Sequence, residues 1–176
     1  MPGDPASLID RYLRREAEEG RVTLVGASEA AWDVLVPSYW REAVAVSLVL
    51  GERHLRAESF FLRSPEENRG AAFHVLLQRN QRAGPWRFAA NEEGDVMLLA
   101  LVPRAAITEE ELDGLLGSFI TMADETYRPY MERAFERALK DQVERGGPGL
   151  DATPPWARDG WPPDPGADRA TRKDAP

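Results

Sequence analysis

Two periodicities divide the chain. Between residues 32 and 62 apolar positions recur every second residue, as in strands with one buried face. The runs are Trp32–Val36, which Pro37 ends, then Ala43–Leu50 and Leu55–Leu62, separated by the turn Gly51–His54. Such short links predict an antiparallel three-strand meander, since parallel pairing needs a long crossover. Arg21–Val25 is a further extended candidate. Residues 7–19 carry the helical stripe Leu8, Ile9, Tyr12 and Leu13 behind a Ser7 cap, and this stripe has to dock on its own domain or on a second copy.

A helix is expected after the third strand. Ser64 would be its N-cap, Pro65 its first residue, Glu67 the return arm of a capping box, and Gly84 its stop. Trp86–Ala90 and Val96–Val102 then read as a hairpin across Asn91–Asp95. Val96–Val102 is apolar on both sides, so each face needs cover, from a helix or from a partner. Thr108 and Glu111 form another capping box, with Ile107 and Leu112 as a staple, and open a helix that Asp124–Pro129 should interrupt. A second helical segment runs on to Arg145.

The expected fold class is therefore α+β, an antiparallel sheet (three-strand meander plus hairpin) flanked by helices. Residues 1–145 form one domain. Seven of the fourteen prolines fall in 146–176, where Leu150 is the lone aliphatic residue larger than alanine. That composition predicts a disordered Pro/Gly-rich tail, with two proline–tryptophan islands, Pro154-Pro155-Trp156 and Trp161-Pro162-Pro163.

Composition narrows function mainly by exclusion. A net charge of −8 argues against a nucleic-acid partner. With no cysteine there is no disulfide, thiol nucleophile or cysteine-ligated metal. The N-terminal residues lack a signal-peptide pattern, and the apolar runs are too short to span a bilayer, so a cytoplasmic location and no membrane association are expected. His54 and His74 have no metal-ligand spacing, and Ser47 and Ser59 lack a nucleophile elbow. No cofactor and no enzymatic activity are expected. Candidate partner-binding residues are Trp40, in the loop Ser38–Arg41, and Arg79, Asn80, Arg82, Trp86 and Arg87 around the corner between helix and strand. Arginine and tryptophan anchor interfaces well, although the same residues also suit a solvated face over a core tryptophan.

Particular residues carry a resemblance to a known family. Val46–Gly51, Leu55–Arg63, Ser64-Pro65-Glu66-Glu67-Asn68, Leu76-Leu77-Gln78-Arg79-Asn80, Gly94-Asp95-Val96, and Pro103 with Thr108–Gly117 resemble the YbjN family, most closely its actinobacterial branch. The resemblance spans residues 32–145; Pro129 and the tail stand outside it. It implies a type III secretion chaperone-like fold and a role in bacterial sensory transduction or stress regulation, without an established chemistry. It further implies a non-enzymatic module that binds another protein, with a homodimer as a possible assembly. A small-ligand sensor with a pocket between sheet and helices is the alternative.

Overall fold

The computed structural model describes residues 4–82, 84–157 and 164–165. Helix α1 (Pro5–Glu18) leads into strands β1 (Thr23–Ala27), β2 (Ala31–Ser38), β3 (Glu42–Leu50) and β4 (His54–Leu62). After α2 (Arg69–Arg79) come β5 (Arg87–Ala90), β6 (Val96–Pro103), a 3-10 turn at Arg104–Ala106, α3 (Glu109–Ala134) and α4 (Glu136–Glu144). The strands form one antiparallel sheet ordered β1-β2-β3-β4-β6-β5. The meander gains β1 as a fourth strand, and the hairpin enters with β6 against β4. The fold is α+β, as expected.

Alternation along the strands places Val34, Val46, Leu48, Leu55, Ala57, Leu98 and Val102 on one face. They share a single core with Ile9, Tyr12 and Leu13 of α1, Ala72 and Leu76 of α2, and Leu112, Leu115 and Phe119 of α3. The α1 stripe thus docks on its own domain, where the Tyr12 hydroxyl donates to Asp113 Oδ1 at 2.6 Å.

Several expected boundaries move, each for a local reason. The α1 cap is Asp4, which accepts from the Ser7 amide, so Ser7 lies inside the first turn. Strand β2 continues through Pro37 to Ser38; β1 pairs no further than Leu35, and beyond it β2 has a partner on one side only. Helix α2 begins at Arg69, after a left-handed Asn68, and the Ser64 capping box does not form. Ser64 instead donates its amide to Asp95 Oδ1 at 2.7 Å, and the Glu66 and Glu67 amides donate to the Ala134 carbonyl. Glu67 Oε1 accepts from the Arg137 amide at the start of α4. Those local capping signals are redirected to a junction joining α2, the β5–β6 turn and the end of α3. The helix also stops at Arg79, capped by Asn80 rather than by Gly84.

Helix α3 runs without a break through Pro129 and ends at Phe135, whose φ of −140° leaves the helical region. The expected interruption at Asp124–Pro129 does not occur. Proline lacks the N–H that would reach the Glu125 carbonyl four residues back. Arg79 Nη2 donates to that carbonyl at 3.2 Å, so the bond lost within the helix is replaced from α2.

Candidate functional site

The six candidate residues fall into three environments. Trp86 is buried and donates from Nε1 to the Leu115 carbonyl at 2.8 Å, with its ring 4.9 Å from Phe119. Asn80 clasps β5 through both amide atoms: Nδ2 donates to the Phe88 carbonyl at 3.0 Å and Oδ1 accepts from the Phe88 amide at 2.7 Å. Arg79 and Arg82 converge on Glu125, Arg79 Nη1 lying 3.3 Å from its carboxylate. Arg87 lies exposed on β5, opposite Leu99, and Trp40 lies in the β2–β3 turn.

Asn80, Trp86 and Phe88 therefore fix the corner from α2 to β5, with Arg79 and Arg82 tying it to α3. Arg87 belongs to a different surface, the sheet face away from the helices. Pairing across β4, β6 and β5 aligns Arg56 with Leu101, Glu58 with Leu99 and Arg87, and Phe60 with Met97 and Ala89. Val49 of β3 lies beside Arg56. Val49, Phe60 and Leu101 are 48%, 49% and 61% exposed, so no described residue covers this face. The expectation that β6 is covered on both sides is met on one side only. An Arg56–Glu58 ion pair of 2.6 Å crosses the apolar stripe.

Trp40 belongs to a second surface. Its indole donates to the Asp124 carbonyl at 3.0 Å, and its ring stacks on Tyr127 with centroids 5.5 Å apart and an interplanar angle of 13°. Beneath it the Asp124 carboxylate is buried, accepting from Ser38 Oγ at 2.7 Å and from the Tyr39 amide at 2.9 Å. Burial pushes the Asp124 carboxyl above the usual carboxylate range, and these two bonds oppose the rise. Arg41 lies nearby between the rings of Phe61 and Tyr127, 5.0 and 5.6 Å from their centroids, with Nη1 donating to the Phe61 carbonyl. Its Nε and Nη2 are buried without a hydrogen-bond partner, and burial lowers its pKa. Sequence reasoning did not single out Asp124 or Arg41; a carboxylate on the inner side of a helical stripe was the available signal.

A cleft of about 550 Å³ is lined by Asp4, Ser7, Asp10, Glu29 and Trp32 between α1 and the β1–β2 turn. Asp10 there already accepts from Arg14 and from the Trp32 indole. Among the described residues no group of three or more His, Asp or Glu side chains could hold a metal ion, and no helix is long and apolar enough to cross a membrane.

These features define an α+β fold with one sheet face packed by helices and one face open among the described residues. Residues 7–131 match the family model YbjN, whose description is "Putative bacterial sensory transduction regulator". The chain belongs to the YbjN family. Among curated proteins it is similar to Uncharacterized protein Rv0487 of Mycobacterium tuberculosis, 27% identical over 65% of this chain, and to Uncharacterized protein ML2442 of Mycobacterium leprae, 25% identical over 62%. The match spans 63% of the length of the first relative and 59% of the second, somewhat less than two thirds of each. Among solved structures it is similar to a chain of the heterodimeric complex ExoU-SpcU from the type III secretion system of Pseudomonas aeruginosa. That similarity has a TM-score of 0.46 and 15% identity, covering 71% of this chain and 97% of that one.

Proposed function

We propose that the chain is a non-enzymatic protein-binding module that acts as a chaperone-like or stress and signalling regulator. The carrying observation is the open sheet face, where Val49, Phe60 and Leu101 stand exposed beside half-buried Met97 and Leu99. Strands of this composition are ordinarily covered, and Phe60, Met97, Leu99 and Leu101, divided from Val49 by the Arg56–Glu58 pair, leave apolar surface of the kind that marks an interaction site. The occupant is an apolar segment of another protein with a carboxylate at its edge, where Arg87 borders the stripe. The family's regulatory description supports a role exerted through a partner. Arg79 and Arg82 form a second candidate contact region, positioned by Asn80 and Trp86, and Trp40 on Tyr127 forms a third. A cytoplasmic location is part of the same proposal.

The test is affinity capture from the parent cell's lysate with the wild type beside Phe60→Glu and Leu101→Glu. The same near-stoichiometric protein should be captured by the wild type and lost by both variants, with melting temperatures unchanged. Capture that survives both substitutions would refute the assignment of the face. A dimeric mass that becomes monomeric in Leu101→Glu would assign the face to a second copy instead.

A further inference from the structure

The chain's own residues 148–157 reach the β2–β3 turn beside the aromatic corner. Trp156 Nε1 donates to the Tyr39 carbonyl at 2.8 Å, across 117 residues of sequence. The Tyr39 ring meets Trp40 edge-on, with centroids 4.9 Å apart at 87°, and Trp40 in turn stacks on Tyr127. Upstream, Gln142 Nε2 donates to the Pro148 carbonyl at 2.6 Å, and Arg128 pairs with Asp151 at 2.7 Å. Residues 148–157 thus run from the end of α4 back to the turn.

This segment is held differently from the rest of the fold. It forms no helix or strand, and none of its residues enters the hydrophobic core. Trp156 keeps 36% exposure, and Asp151 is almost fully solvated. The indole bond, the Gln142–Pro148 bond and the exposed Arg128–Asp151 pair are single polar contacts, each weakly stabilising. The contact is nevertheless chemically selective. An indole N–H can only donate, so it needs an acceptor aimed at it, and the Tyr39 carbonyl provides one. Pro155 and Trp156 form a turn closed by the Ala157 amide donating to the Pro154 carbonyl at 3.1 Å, and neither proline has an amide donor of its own.

We propose that the Tyr39 carbonyl, in a turn braced by the Trp40–Tyr127 stack, forms a docking site for proline–tryptophan turns, and that residues 148–157 fill it in cis as an exchangeable plug. The partner it fits is a chain that turns at proline and carries tryptophan directly after it. The other island, Trp161-Pro162-Pro163, has the reverse order and lies outside the described residues. The corner is distinct from the open sheet face, so failure of either assignment leaves the other standing.

The experiment is fluorescence anisotropy with a labelled peptide of residues 148–157, titrated with the full-length protein and with full-length Trp156→Ala. A tethered segment competes at an effective concentration of about a millimolar, so removing its tryptophan should expose the site. The Trp156→Ala protein should bind the peptide at least about tenfold more tightly than the wild type does. A peptide in which alanine replaces tryptophan should not bind. Trp40→Ala in the Trp156→Ala background should abolish binding while far-ultraviolet circular dichroism stays unchanged; should that protein unfold, Tyr127→Leu in the same background serves instead. Equal affinity in wild type and Trp156→Ala, or no binding by Trp156→Ala, overturns the proposal.

Discussion

Arg79 is the residue whose removal most directly tests how α3 tolerates its proline. Pro129 leaves the Glu125 carbonyl without a helical donor, and Arg79 Nη2 supplies one at 3.2 Å while Nη1 lies 3.3 Å from the Glu125 carboxylate. Arg79→Met keeps most of the stem and removes both donors. An unpaired, part-buried carbonyl costs about 1–3 kcal/mol, and the partly solvated ion pair adds up to about 1 kcal/mol. The substitution should therefore destabilise by about 2–3 kcal/mol, or roughly 4–12 °C in a chain of this size. Pro129→Ala restores the backbone donor, and in that background Arg79→Met should cost only about 1 kcal/mol. The four proteins form a double-mutant cycle with an expected coupling of about 1–2 kcal/mol, measured by urea unfolding followed by circular dichroism. A cost for Arg79→Met that is the same in both backgrounds, within about 0.5 kcal/mol, would refute the replacement of the helical bond by the side chain.

Four further outcomes follow from the geometry. Asp124→Ala orphans the Ser38 hydroxyl and the Tyr39 amide and should lower stability by about 2–4 kcal/mol, whereas Asp124→Asn keeps an acceptor and should lose less; thermal melts of the two variants separate these. Because burial raises the Asp124 pKa, ionisation costs more in the fold than in the unfolded chain, and this cost is absent below the ordinary carboxylate range. The stability of the wild type relative to Asp124→Asn should thus fall as pH rises from about 4 through the raised pKa, and a difference independent of pH in parallel melts would contradict it. Gly94 has φ +85°, and a Cβ there would meet Ser64 Oγ and the Arg69 guanidinium, so Gly94→Ala should cost about 1–3 kcal/mol by denaturant titration. Trp86→Ala should cost about 3–5 kcal/mol in the same titration, because it empties a core position and frees the Leu115 carbonyl.

The alternation in residues 32–62 and 96–102 and the stripes of α1 and α3 determined which side chains enter the core, because period alone selects a face. The Thr108 cap was equally legible: its hydroxyl accepts from the Glu111 amide at 3.1 Å, a contact within four residues of chain. The family was legible as well, through motifs spread over those same elements. What sequence could not decide were contacts closed by distant residues. Ser64 and Glu67 carry a correct capping pattern, but their groups meet Asp95 and Arg137 instead, and the helix starts later. Pro129 predicts a break in any isolated helix, yet a guanidinium fifty residues upstream in sequence completes the hydrogen bond. Composition marked 146–176 as irregular, but only the tertiary fold brings Trp156 to Tyr39; much of that tail, including 158–163 and 166–176, lies outside the described residues. The open face was half visible: sequence showed that β6 is apolar on both sides, and the packing of α1, α2 and α3 on one side decided which face stays bare. Local periodicity is encoded in neighbouring residues, whereas the satisfaction of a backbone group or the covering of a face depends on which element arrives, and topology alone sets that.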